Sequence, residues 1–190
     1  MAMLESILFN YQNLIYKIER ECRRLEEYYH EHLICKPGCS QCCEVERSVL
    51  SIEAYIIEQQ LKTFSGARIR KLRNQHRRDD HNCPMLWKNL CIIYPVRPII
   101  CRTHGLPIFY HEAEITFIDY CRLNFTQLPD DYKFQDKYVL DMRPFNSELV
   151  SLDQQFTEQV LHKSWYPDNR ILLKDVLFNL KIPQSKKSKK

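Results

Sequence analysis

Eight of the nine cysteines in this chain fall between Cys35 and Cys121. Four crowd into Cys35-Lys-Pro-Gly-Cys39-Ser-Gln-Cys42-Cys43, and Cys83, Cys91, Cys101 and Cys121 follow as single residues. Thiols held this close oxidise readily and fill a core poorly, whereas a soft metal turns them into a crosslink. An odd total, with two cysteines adjacent, fits a disulfide framework badly. Metal ligation by Cys35, Cys39, Cys42, Cys43, Cys83, Cys91, Cys101 and Cys121 is therefore the expected chemistry. Eight thiolates suffice for two four-sulfur sites, or for one site with shared or redox-active extras. Paired zinc sites usually present Cys-x₂-Cys knuckles. The spacing here, Cys-x₃-Cys-x₂-Cys-Cys followed by isolated cysteines, tilts the expectation toward an iron–sulfur cluster over zinc.

Either kind of four-thiolate centre carries net negative charge, which nearby cations should offset. Arg97 and Arg102, within and beside the later cysteines, are the candidates, as counter-charges or as holders of an anionic substrate. His81 and His104 are alternative ligands by proximity. Pro37-Gly38 suits the centre of a type II turn, with glycine at positive φ. A helical turn starting near Cys39 would set Cys42 about 60° and Cys43 about 40° from it around the axis. Those three sulfurs would then share one face, with Cys35 reaching in from the turn.

The pattern Cys35-x-x-Gly38-Cys39-x-x-Cys42-Cys43, Cys83-Pro84-x-Leu86, Cys91-x-Ile93-Tyr94-x-x-Arg97-Pro98-x-x-Cys101-Arg102 and Cys121 resembles the YkgJ-type cysteine-cluster proteins. That family is described as a zinc- or iron-chelating domain, and the resemblance implies metal chelation by these eight positions. A similar pattern occurs in flagellin lysine-N-methylases, so an iron–sulfur-dependent protein lysine methylase-like enzyme is the alternative function. Cys35-x₃-Cys39-x₂-Cys42 also matches the three-cysteine spacing of radical S-adenosylmethionine enzymes. A long charged helix before the motif and only 3 glycines argue against the usual fold of those enzymes. A zinc-stabilised adaptor or nucleic-acid-binding protein is the third reading. No Ser-His-Asp or paired-carboxylate arrangement follows from spacing.

These thiols need elements to hold them. Leu4, Leu8, Tyr11, Ile15, Ile18, Cys22, Leu25 and Tyr29 step by four and three, which predicts one long amphipathic helix with a coiled-coil-like seam. Cys22 lies on that seam and reads as a buried thiol, not a ligand. Ser51 reads as the N-cap of a helix through Phe64 that ends at Gly66, and a basic helix follows over 67–78. Its Arg68, Arg70, Lys71, Arg73, Arg77 and Arg78 read as a solvated face. Cys83 to Trp87 and Cys91 to Tyr94 read as short extended runs joined at Lys88-Asn89. Pro98 starts a short helix that Gly105 closes, and 114–119 alternates as a strand. Asn146 and Asp168 read as caps of two later helices, assigned to packing on the first.

The expected fold is mainly α with a small β element: a cysteine-rich, metal-nucleated centre at 34–121 flanked by packing helices at 1–33 and 128–180. The whole of 1–190 is expected to be a single domain. A hydrophobic fraction of 44% with 12% aromatics is that of a globular chain. The net charge of +4 is accounted for by Lys186, Lys187, Lys189 and Lys190, in a tail (184–190) expected to be disordered. A neutral body disfavours nucleic acid as a partner; a protein partner is open. No secretory leader and no membrane-spanning run is visible, so the expected location is the cytoplasm.

Overall fold

The computed structural model describes residues 2–36, 38–112, 115–129 and 131–181, the side chains of His111 and Glu112 excepted. The expected basic tail lies outside the described residues, as does Glu114 at the start of the expected strand. In chain order the elements are α1 (Ala2–Tyr28), β1 (Ser48–Val49), α2 (Ser51–Lys62), α3 (Gly66–His76), β2 (Leu86–Trp87) and β3 (Leu90–Cys91). Then come α4 (Ile99–Thr103), β4 (Ile108–Glu112), β5 (Ile115–Asp119), α5 (Arg143–Gln159), β6 (Ile171–Leu172) and α6 (Leu173–Asn179). Helices dominate, and the strands form antiparallel pairs, as a mainly α chain with small β elements should. The chain gathers into two compact units, each built from two separate stretches: Met1–Pro37 with Pro98–Trp165, and Gly38–Arg97 with Tyr166–Lys190.

In the first unit α1 buries Ile7, Tyr11, Leu14, Ile18, Cys22 and Leu25, with Tyr29 just past its end. The expected Leu8 and Ile15 are only half-buried. The buried residues recur at the 3.6-residue period of a straight helix, and drift off a strict seven-residue seam by about 20° per repeat. So α1 packs as a globular helix, not as a coiled coil. Helix α5 packs along it, with Lys17 Nζ 3.0 Å from Glu148. Helix α5 begins at Arg143, three residues before the expected Asn146 cap, and Asp141 accepts the Arg143 amide N–H at 3.0 Å. Its start is therefore set by a carboxylate and by Pro144, which needs no N–H partner in the first turn.

Helix α4 also packs on α1. Pro98 sits one place outside it, as N-cap, and its carbonyl accepts the Cys101 and Arg102 amides. Gly105 closes the element at φ +104°, as expected. Strands β4 and β5 form a hairpin that the alternating run revealed only in part.

In the second unit the core comprises Val49, Ala54, Ile57, Leu61, Ile69, Leu72, Met85, Ile93, Leu173, Val176, Leu177 and Leu180. Cys83 and Cys91 pack at its margin. Ser51 is the first residue of α2, not its cap; the buried Glu53 reaches back to accept the Leu50 amide at 3.3 Å. Gly66 starts α3 where the sequence suggested an end. Ser65 caps that helix, its Oγ accepting from the Arg68 amide at 3.3 Å. The basic face is partly consumed by packing. Arg73 donates to the Leu177 and Leu180 carbonyls at 2.6–3.0 Å, satisfying the open end of α6. Arg68 lies over the Phe64 ring at 3.9 Å and Arg77 over Phe178 at 5.2 Å.

Two corrections concern the last segment. Ile171 and Leu172, expected in a helix capped by Asp168, instead pair with Val49 and Ser48 as β6 against β1. Helix α6 packs on α2 and α3, not on the first helix as expected. Its short apolar run belongs to the core the cysteines border.

Candidate metal centre

None of the nine cysteines is joined in a disulfide. Cys22 is buried on α1, its Sγ 3.8 Å from the Arg102 carbonyl, as its seam position suggested. The other eight divide by unit: Cys35, Cys101 and Cys121 in the first, Cys39, Cys42, Cys43, Cys83 and Cys91 in the second.

The second unit's group is built by two short devices. Gln41–Cys43 is a 3-10 turn, shorter and later than the helical turn expected from Cys39. The other device is the β2–β3 hairpin, whose linking residues Lys88 (φ 52°) and Asn89 (φ 59°) both take the left-handed conformation of a type I′ turn. That register sets Cys91 opposite Leu86. A bond from the Cys83 amide to the Cys43 carbonyl, 2.6 Å, joins the two devices.

The sulfurs of this group feel one another. A hydrogen bond shared with Cys43 holds the Cys42 thiol down to about 6, assisted by Arg47 and Arg97 against the cost of burial. Cys43, the donor, is pushed up by the same bond and further by burial and by Cys42, Cys83 and Cys91. Cys42 and Cys43 thus share a proton. Burial pushes Cys83 up to about 11 and also raises Cys91. Each of those sulfurs accepts a backbone N–H from the residue two ahead, Met85 and Ile93, which opposes the rise. Amide donors of this kind spread the charge of a thiolate. Arg47, whose guanidinium donates to the Cys42 carbonyl at 3.2 Å, was missed in the sequence; its only signal was its place four residues past Cys43. Arg97 faces the group's field and lies 4.0 Å from the Tyr94 ring centre.

In the first unit Cys35 neighbours Gly105, Asn124 and Cys121. A Cβ placed on Gly105 would lie 3.1 Å from Cys35 Sγ, 3.2 Å from Asn124 Nδ2 and 3.8 Å from Cys121 Cβ. A Cβ there would crowd the Cys35 and Asn124 side chains, and φ +104° by itself calls for glycine. Cys101 stands on α4, one turn before that glycine. The sequence grouped Cys35 with Cys39, Cys42 and Cys43; Cys35 falls in the first unit and those three in the second, Gly38 takes φ +94°, and Pro37 lies outside the described residues. Cys39 is exposed on the loop after that turn. His81 and His104 are exposed too. Arg102 is buried and ion-paired with Glu19 of α1, so its charge is already matched.

Among the described residues no three His, Cys, Asp or Glu side chains stand as a ready-made ligand set. Closing either group on one metal would take side-chain rotation. The donor chemistry fits a thiophilic metal nonetheless: half-buried sulfurs, amide N–H donors and guanidinium groups beside them. Among the described residues no helix is long and apolar enough to cross a membrane.

Residues 34–122 match the family model CxxCxxCC, described as "Putative zinc- or iron-chelating domain". No curated protein and no solved structure matches the chain. The match spans every cysteine of both groups and supports metal binding within that interval. The cysteine-rich interval, residues 34–122, is thus similar to the CxxCxxCC family of zinc- or iron-chelating domains.

Proposed function

We infer that this chain binds thiophilic metal through two cysteine groups, one in each unit. Cys42, Cys43, Cys83 and Cys91 form a four-thiolate set in the second unit, and Cys35, Cys101 and Cys121 form a set in the first. Cys39, on the loop before Cys42, is a further thiol of the second unit's group. The observation that carries this reading is the mutual field of the first four sulfurs, two of them already accepting amide N–H bonds. Hydrogen-bonded, partly buried thiols that repel one another as anions are stabilised by a shared cation.

An iron–sulfur cluster is preferred over zinc, on the irregular spacing of the cysteines. Such a cluster would supply one-electron chemistry, and zinc would supply a crosslink. Arg47 and Arg97 are the counter-charges of the second unit's set. The chemistry requires a reducing compartment such as the cytoplasm.

Anaerobic purification, metal and sulfide analysis and an absorption spectrum test this reading. Two equivalents of cluster or zinc are expected, falling to one in a Cys83→Ser, Cys91→Ser double variant. A reduced protein that binds neither metal would refute it.

A further inference from the structure

Asn124 is 1% exposed, and all its polar atoms are engaged. Its Oδ1 accepts the Ile34 amide N–H at 3.0 Å, and its Nδ2 donates to the Gly105 carbonyl at 2.8 Å. A donor on one side and an acceptor on the other fix which way the amide faces. With that orientation fixed, Nδ2 lies 3.5 Å from Cys35 Sγ. Asn124 is itself placed by a turn, its backbone N–H bonding the Cys121 carbonyl at 2.8 Å. Phe125, held at φ 61°, then anchors that turn to the His32 carbonyl at 2.8 Å. One residue, through side chain and backbone together, thus ties the Cys35 segment, the Gly105 loop and the Cys121 turn.

A free Cys35 thiol could instead donate to Oδ1, 3.7 Å away. A thiolate has no proton to give, so it accepts from Nδ2 alone. The Nδ2 bond is the shorter of the two, and an N–H bond to anionic sulfur is charge-assisted and stronger, so the amide favours the metal-bound form of Cys35. Here Gly105 keeps clear the space that the sulfur and the amide share.

We propose that Asn124, with Gly105 as its spacer, is the positioning residue of the Cys35 thiolate, donating an N–H···S hydrogen bond that stabilises metal-bound sulfur in the first unit. The proposal rests on Cys35 being a ligand, and its test separates the two ideas. Hydrogen bonds to ligating groups are worth about 10–100-fold in metal affinity.

The probe is Co²⁺, whose thiolate charge-transfer absorption reports on sulfur directly. Asn124→Asp keeps the acceptor for Ile34 but replaces the donor with a carboxylate. It should shift the charge-transfer band of one of two bound Co²⁺ ions to longer wavelength. That ion should also leave to a chelator roughly 10–100-fold faster, while the ion bound in the second unit is unchanged. A faster loss with no band shift would reduce Asn124 to a loop clamp and overturn the proposal, as would no change in either. Wild-type protein loaded with spin-active cadmium needs no variant to fold. The Asn124 side-chain amide should show scalar coupling to the metal, and its absence at a Cys35-bound ion overturns the proposal. If Cys35→Ser leaves metal content unchanged, the ligand reading fails instead.

Discussion

The Cys83 amide N–H lies 2.6 Å from the Cys43 carbonyl, so two cysteines forty residues apart are tied through backbone before any metal is bound. The bond needs no side chain and survives cysteine replacement. Serine at Cys83 and Cys91 should therefore leave the second unit folded while it loses its metal. Circular dichroism should keep its helical signal as metal content falls by one centre; unchanged metal content would exclude these sulfurs as ligands.

Arg73 holds the last carbonyls of α6 with three short donor contacts. Arg73→Ala should destabilise the protein by about 1.5–3 kcal/mol, the range for bonds to a charged donor. Thermal unfolding of the metal-loaded protein should show the lower midpoint with metal stoichiometry intact.

Arg102 is buried against Glu19. Breaking a fully buried pair costs about 3–5 kcal/mol. Glu19 is 41% exposed and can turn to water, which lowers the cost of Arg102→Met to about 1–3 kcal/mol. Denaturant titration reads the loss. A variant that instead sheds metal at full stability would restore Arg102 to the cluster's surroundings.

Tyr29 is buried within an aromatic group, edge-on to Phe125 at 5.1 Å and Phe134 at 5.9 Å. Its hydroxyl has no hydrogen-bond partner among the described residues. Burial raises its ionisation well above the usual phenol range. Tyr29→Phe should be neutral or gain up to about 1 kcal/mol, whereas Tyr29→Ala should lose about 3–5 kcal/mol. Chemical denaturation of the pair distinguishes ring from hydroxyl.

Lys88 and Asn89 both occupy left-handed backbone, where lysine pays about 1 kcal/mol or more. Lys88→Asn with Asn89→Gly supplies the residues a type I′ turn prefers. The double variant should raise the unfolding midpoint and slow metal release from the set containing Cys91.

How much of this was legible followed from range. The β2–β3 hairpin was readable because its two-residue loop and both strands lie within six residues, Leu86 to Cys91. Helix α1 was readable because its apolar period runs for seven turns. The strand at Ile171–Leu172 was not, since its partner Ser48–Val49 is more than a hundred residues away and its own pattern equally suits a helix. Gly66 misled because a glycine after an apolar run signals an end, while Ser65 beside it turns that end into a new cap. The eight ligand candidates came from residue type alone. Their division did not: Cys35 and Cys39 are four apart in sequence, yet Gly105 and Asn124, the residues that claim Cys35, lie far downstream.

Because the second unit is closed by Tyr166–Lys190, Cys42, Cys43, Cys83 and Cys91 leave the ribosome well before β6 and α6 can complete the hydrophobic packing beside them. A nascent chain thus carries reactive sulfur through a long interval with its apolar margin open. Delivery of metal during translation would guard those thiols, and no contiguous fragment of the gene encodes either half intact.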